Sequence, residues 1–130
     1  RGVNQKATKD DKAKLDILDD DFVFTMGQKI RNSNIFQPHG INVNFYKQSN
    51  KHAVDIKTYE KGVEEVMNSC ASGSASVVFH LHKNKLVESP VLVRSTGGNL
   101  RFYFKDIWSG FWAEGPAEIL FTGNFYLELI

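Results

Sequence analysis

The stretch Ser72–Lys83 (SGSASVVFHLHK) constrains the fold more than any other part of this chain. It opens on five small residues and then turns apolar at Val77, Val78, Phe79 and Leu81. Small side chains let a backbone approach its surroundings closely, which a helix threaded through a sheet requires. Strand-like segments lie on both sides. Val43–Lys47 and Ala53–Tyr59 carry β-branched and aromatic residues, with Asn50-Lys51 at a natural turn between them. Pro90–Ser95 and Asn99–Phe104 flank Thr96-Gly97-Gly98, a hairpin turn in which glycine accepts positive φ. Phe111–Ala113, Glu118–Phe121 and Phe125–Leu129 follow, separated by Gly115-Pro116 and Thr122-Gly123-Asn124. Glu60–Ser69 reads as a mostly polar loop containing Gly62. The pattern predicts about seven strands and a central helix, an α+β fold.

One further helix is expected earlier. Asp19–Asp21 place acidic groups at the positive end of a helix running from about Phe22 to Arg31, with Phe22, Phe24, Met26 and Ile30 as its loosely periodic apolar positions. Pro38-His39-Gly40 then breaks the chain. Residues 1–14 are polar and of mixed charge, so 1–16 reads as a flexible lead-in or linker and 17–130 as one domain. With 42% hydrophobic side chains among 130 residues, that domain can bury a core. Sixteen basic residues stand against fifteen acidic ones, and a net charge of +1 offers no electrostatic case for nucleic acid or a membrane surface. No apolar run approaches the ~18 residues of a membrane span, and the start does not read as a signal peptide. His80 and His82 are two apart and share no helical face, while His39 and His52 fall in turns. No metal pattern emerges.

The single cysteine excludes an internal disulfide and fits a reducing, cytoplasmic setting. Cys70 lies just before the small residues that open the predicted helix. First-turn amides of a helix lack internal partners and point outward as donors; together with the helix dipole they stabilise a nearby anion. A thiol placed there is favoured as thiolate, the form that abstracts protons or attacks electrophiles. The amides from Ala71 to Ser74 could equally hold a substrate carboxylate. From these features alone, a buried structural cysteine is the competing reading.

Thr58–Ser76 (TYEKGVEEVMNSCASGSAS) resembles the signature of the diaminopimelate epimerase family, in which a Tyr-Glu-Arg-Gly-Val loop leads to Cys-Gly-Thr-Gly at a helix start. Phe36–Phe45 (FQPHGINVNF) resembles that family's Phe-Pro-x-Gly-Thr-Asn-Val-Asn-Phe, and Gly27–Arg31 (GQKIR) resembles its Gly-x-x-Ile-Arg helix. Ser89-Pro90-Val91, Thr96–Leu100 (TGGNL), Glu114–Glu118 (EGPAE) and Phe121-Thr122-Gly123 follow in the family's order and spacing. The resemblance covers about Ile17 to Leu129.

The resemblance implies the C-terminal catalytic domain of an amino-acid epimerase or racemase, an isomerase of lysine biosynthesis that converts LL- to meso-diaminopimelate in the cytoplasm. Such enzymes pair two similar domains, each a mixed sheet curled barrel-like around a central helix, with the active site between them. Each domain brings one cysteine. One thiol removes the α-proton and the other returns one to the opposite face, without pyridoxal phosphate or a metal ion. On this resemblance Cys70 is the second-domain acid–base group, and Glu60 both binds substrate and assists the thiol. Asn42 and Lys61 contact substrate, and Ala71, Ser72 and Gly73 form the carboxylate-receiving helix start. The implied partners are a small amino-acid substrate, an N-terminal domain carrying the second cysteine, and a second copy in a homodimer.

Three departures from the family pattern bear on substrate choice more than on proton transfer. Lys61 stands where arginine is usual and lacks its planar fork. Val66 and Met67 replace a polar Glu-Thr pair, and Ala71 replaces the glycine after the cysteine. They make a catalytically degenerate binding module of the same fold the alternative reading.

Overall fold

The computed structural model describes residues 18–105 and 110–126; the expected lead-in at 1–16 lies outside them. Helix α1 spans Asp20–Arg31. Asp19 caps it by accepting the Phe22 N–H at 3.0 Å, with Asp20 and Asp21 in the first turn and Lys29 and Arg31 in the last. Each charge therefore opposes the helix dipole at its own end. The apolar positions expected from the sequence are not the ones that pack most deeply. Val23 and Gly27 are buried, while Phe24 stands at the surface. Gly27 explains the difference. A Cβ there would fall 2.5 Å from the Cβ of Tyr59, so α1 lies directly on the strand that carries Tyr59.

That strand belongs to a mixed six-stranded sheet. Its members are β1 (Val43–Asn50), β2 (Ala53–Glu60), β3 (Glu65–Met67), β4 (Val91–Ser95), β5 (Gly98–Phe104) and β6 (Phe111–Glu114). The order is β1-β2-β4-β5-β6, with β3 added to β2. Strand β2 is the hub, antiparallel to β1 and β3 and parallel to β4. On one face α1 rests on β1 and β2, where Phe22 meets the ring of Phe45 and Phe24 that of Tyr59. On the other face lies α2 (Ala71–Lys83). Val77, Val78 and Leu81 of α2 pack against Val54 and Ile56 of β2, Val91 and Val93 of β4, and Phe102 and Phe104 of β5. Successive strand side chains alternate between faces. The α2 side of β2 therefore reads Val54, Ile56, Thr58, Glu60: apolar over the body of the helix, polar towards its start.

The α+β class and the mixed sheet match the sequence reading, and both hairpin turns fall where expected. Gly98 sits at φ +138, as a glycine in the second hairpin should. Two segments differ. The expected polar loop at Glu60–Ser69 contains β3, which folds back on the end of β2 with Tyr59 opposite Val66. Glu118–Phe121 forms no strand, and neither do Phe125 and Tyr126; residues 127–129 lie outside the described ones. The sheet ends at Glu114 because the chain leaves β6 at Gly115-Pro116, where proline offers no N–H to a ladder. Among the described residues the sheet is open, with β1 and β6 at its edges.

Candidate active site

Cys70 is the N-cap of α2. Its backbone is extended (φ −144, ψ 106), and its sulfur accepts the Gly73 N–H at 3.3 Å. The Ser72 hydroxyl lies 3.4 Å from the same sulfur. The thiol is half-buried and free. The next backbone donor, Ser74 N–H, reaches the Cys70 carbonyl at 2.9 Å. Among the described residues the amides of Ala71 and Ser72 donate to no protein acceptor, and no acidic side chain occupies the first turn. The helix thus presents two open N–H groups beside a sulfur, a pattern suited to an anionic ligand.

Gly73 lets this helix start sit on the sheet. A Cβ at position 73 would fall 2.5 Å from Asn44 Oδ1 and 2.8 Å from Thr58 Oγ. Those two side chains form a cross-strand pair on β1 and β2, the Thr58 hydroxyl donating to Asn44 Oδ1 at 2.8 Å. Thr58 is buried, so this bond also satisfies its hydroxyl. The polar end of β2 therefore stands under the start of α2, and Glu60 follows Thr58 on that face.

Asn42, Glu60 and Lys61 meet at the same end of the hairpin. Asn42 precedes β1 and accepts the Lys61 N–H through Oδ1 at 2.9 Å, which leaves its amide nitrogen for a ligand. Glu60 closes β2 and is half-buried; Lys61 is exposed in the turn that follows. Val66 and Met67 lie in β3 and line a cleft of about 290 Å³ against Asp20, Asp21 and Phe24 of α1. Cys70 does not border that cleft. Among the described residues no three His, Cys, Asp or Glu side chains are grouped as a metal ion would need.

Sequence reasoning passed over the supports of this site. Asn44 and Thr58 could have been found by counting two residues from Asn42 and Glu60. The network around Glu64 had no such signal. Its carboxylate accepts from Arg31 Nε at 2.5 Å, Gly62 N–H at 3.0 Å and the Tyr59 hydroxyl at 3.2 Å. The Gly62 amide and the Arg31 guanidinium hold the Glu64 carboxyl below the usual carboxylate range. Burial, and then Glu64 itself, push the Tyr59 hydroxyl up. Glu64 sits at φ +60, a left-handed conformation that costs a non-glycine residue about 1 kcal/mol.

Fold and site together define an α+β unit that offers a thiol and two free amides at a single helix start. The whole chain then supplies the family. The description of the diaminopimelate epimerase family matches residues 6–119. A diaminopimelate epimerase of Archaeoglobus fulgidus is 41% identical over 109 residues, covering 84% of this chain and 37% of that protein. One from Chlorobaculum tepidum is 33% identical over 115 residues, covering 87% of this chain and 44% of that protein. One from Methanothrix thermoacetophila is 37% identical over 95 residues, covering 73% and 32%. This chain belongs to the diaminopimelate epimerase family. It spans less than half the length of these relatives.

Proposed function

We propose that this chain is the C-terminal catalytic half of a cytoplasmic, cofactor-independent amino-acid epimerase acting on diaminopimelate. The observation that carries the reading is the half-buried Cys70 sulfur at the start of α2, beside the unoccupied amides of Ala71 and Ser72. The substrate carboxylate takes those amides, where the helix dipole favours negative charge. This orients the α-carbon towards the sulfur. A Cys70 thiolate removes the α-proton, and the electron pair left on carbon delocalises into the carboxylate. The amides strengthen their hold as that charge grows, and so act on the transition state more than on the ground state. A second thiol, from the N-terminal half, delivers its proton to the opposite face. The configuration inverts, and the sulfurs end with their protonation states exchanged. For the other stereoisomer Cys70 works as the acid.

Glu60 assists the thiol and contacts the substrate, while Asn42, through its free amide nitrogen, and Lys61 hold the substrate from the hairpin end. Gly73 keeps the helix start close to the sheet and steadies the sulfur through its N–H. The exposed tail supports a second unit. Ile119, Leu120, Phe121, Phe125 and Tyr126 are each at least 84% exposed, and large apolar side chains left together at a surface mark an interaction site. Docking of an N-terminal half covers it, and the sheet completes its barrel-like curl around α2 in that assembly.

The test is solvent exchange. The polypeptide carrying both halves, incubated with LL-diaminopimelate in deuterium oxide under reducing conditions, should place deuterium at the α-carbon. Cys70→Ala should suppress that exchange. A folded wild-type protein that exchanges nothing would instead support a binding module of the same fold.

A further inference from the structure

The turn that carries Glu60 and Lys61 is held from the face of the sheet opposite Cys70. Tyr59 points towards α1, and its hydroxyl donates to Glu64 Oε2. Arg31, from the last turn of α1, donates to Oε1, as does the Gly62 N–H within the turn. The Glu64 N–H closes the turn on the Glu60 carbonyl at 2.8 Å. One carboxylate therefore ties a helix, a strand and the turn together. Its partners are themselves fixed. Tyr59 is fully buried, the Arg31 side chain is 16% exposed, and Gly40 at φ +63 leaves room for the Arg31 guanidinium, which a Cβ there would strike.

The backbone gives the independent argument. A residue selected for conformation alone at φ +60 would be glycine. Position 64 carries glutamate instead, so its side chain offsets the conformational cost. Resting on the epimerase reading above, we infer that Glu64 is a positioning residue that sets the Glu60–Lys61 turn through Arg31, Tyr59 and Gly62. It never touches substrate, because the side chains it binds face α1. It fixes where the turn's substrate-binding groups stand before substrate arrives, which lowers the ordering required on binding.

Two variants of the polypeptide carrying both halves test this. Glu64→Gly accepts the backbone angle and removes all three side-chain bonds. Glu64→Gln keeps an acceptor oxygen and loses the charge opposite Arg31. Binding groups set loosely should raise KM more than they lower kcat: about tenfold in KM for Glu64→Gly and about threefold for Glu64→Gln, with kcat within about threefold. The Lys61 and Gly62 amides should exchange with solvent about tenfold faster in Glu64→Gly, while amides in the body of α2 keep their wild-type rates. Wild-type KM in a folded Glu64→Gly protein, or unchanged exchange at Lys61 and Gly62, would overturn the role of Glu64. An inactive wild type would overturn the epimerase reading instead, and the amide rates would still decide whether Glu64 holds the turn.

Discussion

Among the described residues the chain begins two α-helices and treats their starts in opposite ways. At α1 an aspartate caps the first turn and two further acids follow, so the positive end is neutralised from within. At α2 the cap is a sulfur, a weak acceptor, no acid follows it, and the amides of Ala71 and Ser72 are left open. The two helices also press on the sheet differently. Helix α1 meets the β-carbon and ring of Tyr59 at Gly27, past its middle, whereas α2 meets the polar pair Asn44 and Thr58 at its start. A helix start used only for folding is closed by its own sequence. One kept for a ligand forgoes a carboxylate cap, a contribution of about 1 kcal/mol.

The sharpest way to break this contrast is at the sulfur. Cys70→Ala should lower α-hydrogen exchange by at least about 10²-fold, the scale expected when a general acid–base group is lost. Asp19→Ala should leave that rate within about twofold. If the two variants lost activity equally, the starts would not differ in kind. Gly73→Ala comes next. The new methyl must displace both Asn44 and Thr58, so chemical denaturation should show a loss of about 1–3 kcal/mol together with slower exchange. A stable, active Gly73→Ala protein would show that α2 can lift off the sheet at no cost. Asp19→Ala should lower stability by about 1 kcal/mol, and unchanged stability would remove the closed-cap account of α1.

The smallest expected effect is a pH dependence away from both starts. Arg94 binds both oxygens of Asp55 at 2.8 Å, and Ser49 adds a bond at 3.1 Å. The Arg94 guanidinium holds the Asp55 carboxyl below its ordinary value. A folded value below the unfolded one gives stability that is present above the ordinary carboxylate value and lost as pH falls from there through the depressed folded value. Asp55→Asn should therefore flatten the acid side of the stability–pH curve. An unaltered slope would contradict this. The pair is partly exposed, so its contribution is small.

What could be read from sequence was what short-range chemistry decides. The small-residue run specified α2 and put Cys70 at its start, and Asp19–Asp21 specified the start of α1. The turns came from glycine and asparagine chemistry. What could not be read was set by contacts between distant residues. The buried face of α1 is fixed by Tyr59, more than thirty positions away, rather than by α1's own apolar spacing. The Arg31–Glu64 bond likewise joins residues 33 apart. Strand β3 is only three residues long, too short for an alternating pattern, and forms because β2 offers it an edge. Within the site, Cys70 and its helix start were legible. The supports at Asn44, Thr58 and Glu64 became visible only once the strands were in register.

If the open amides at the start of α2 form an anion site beside Cys70, alkylation reads it directly. Iodoacetate and iodoacetamide modify the same thiol but differ in charge, so the ratio of their rates at Cys70 reports the local preference. Measured at fixed pH and low salt on the Cys70 peptide after digestion, this ratio should exceed that of an unstructured cysteine peptide. It should fall towards the peptide value as inorganic phosphate is added. A ratio at or below the peptide value, unmoved by phosphate, would contradict the account.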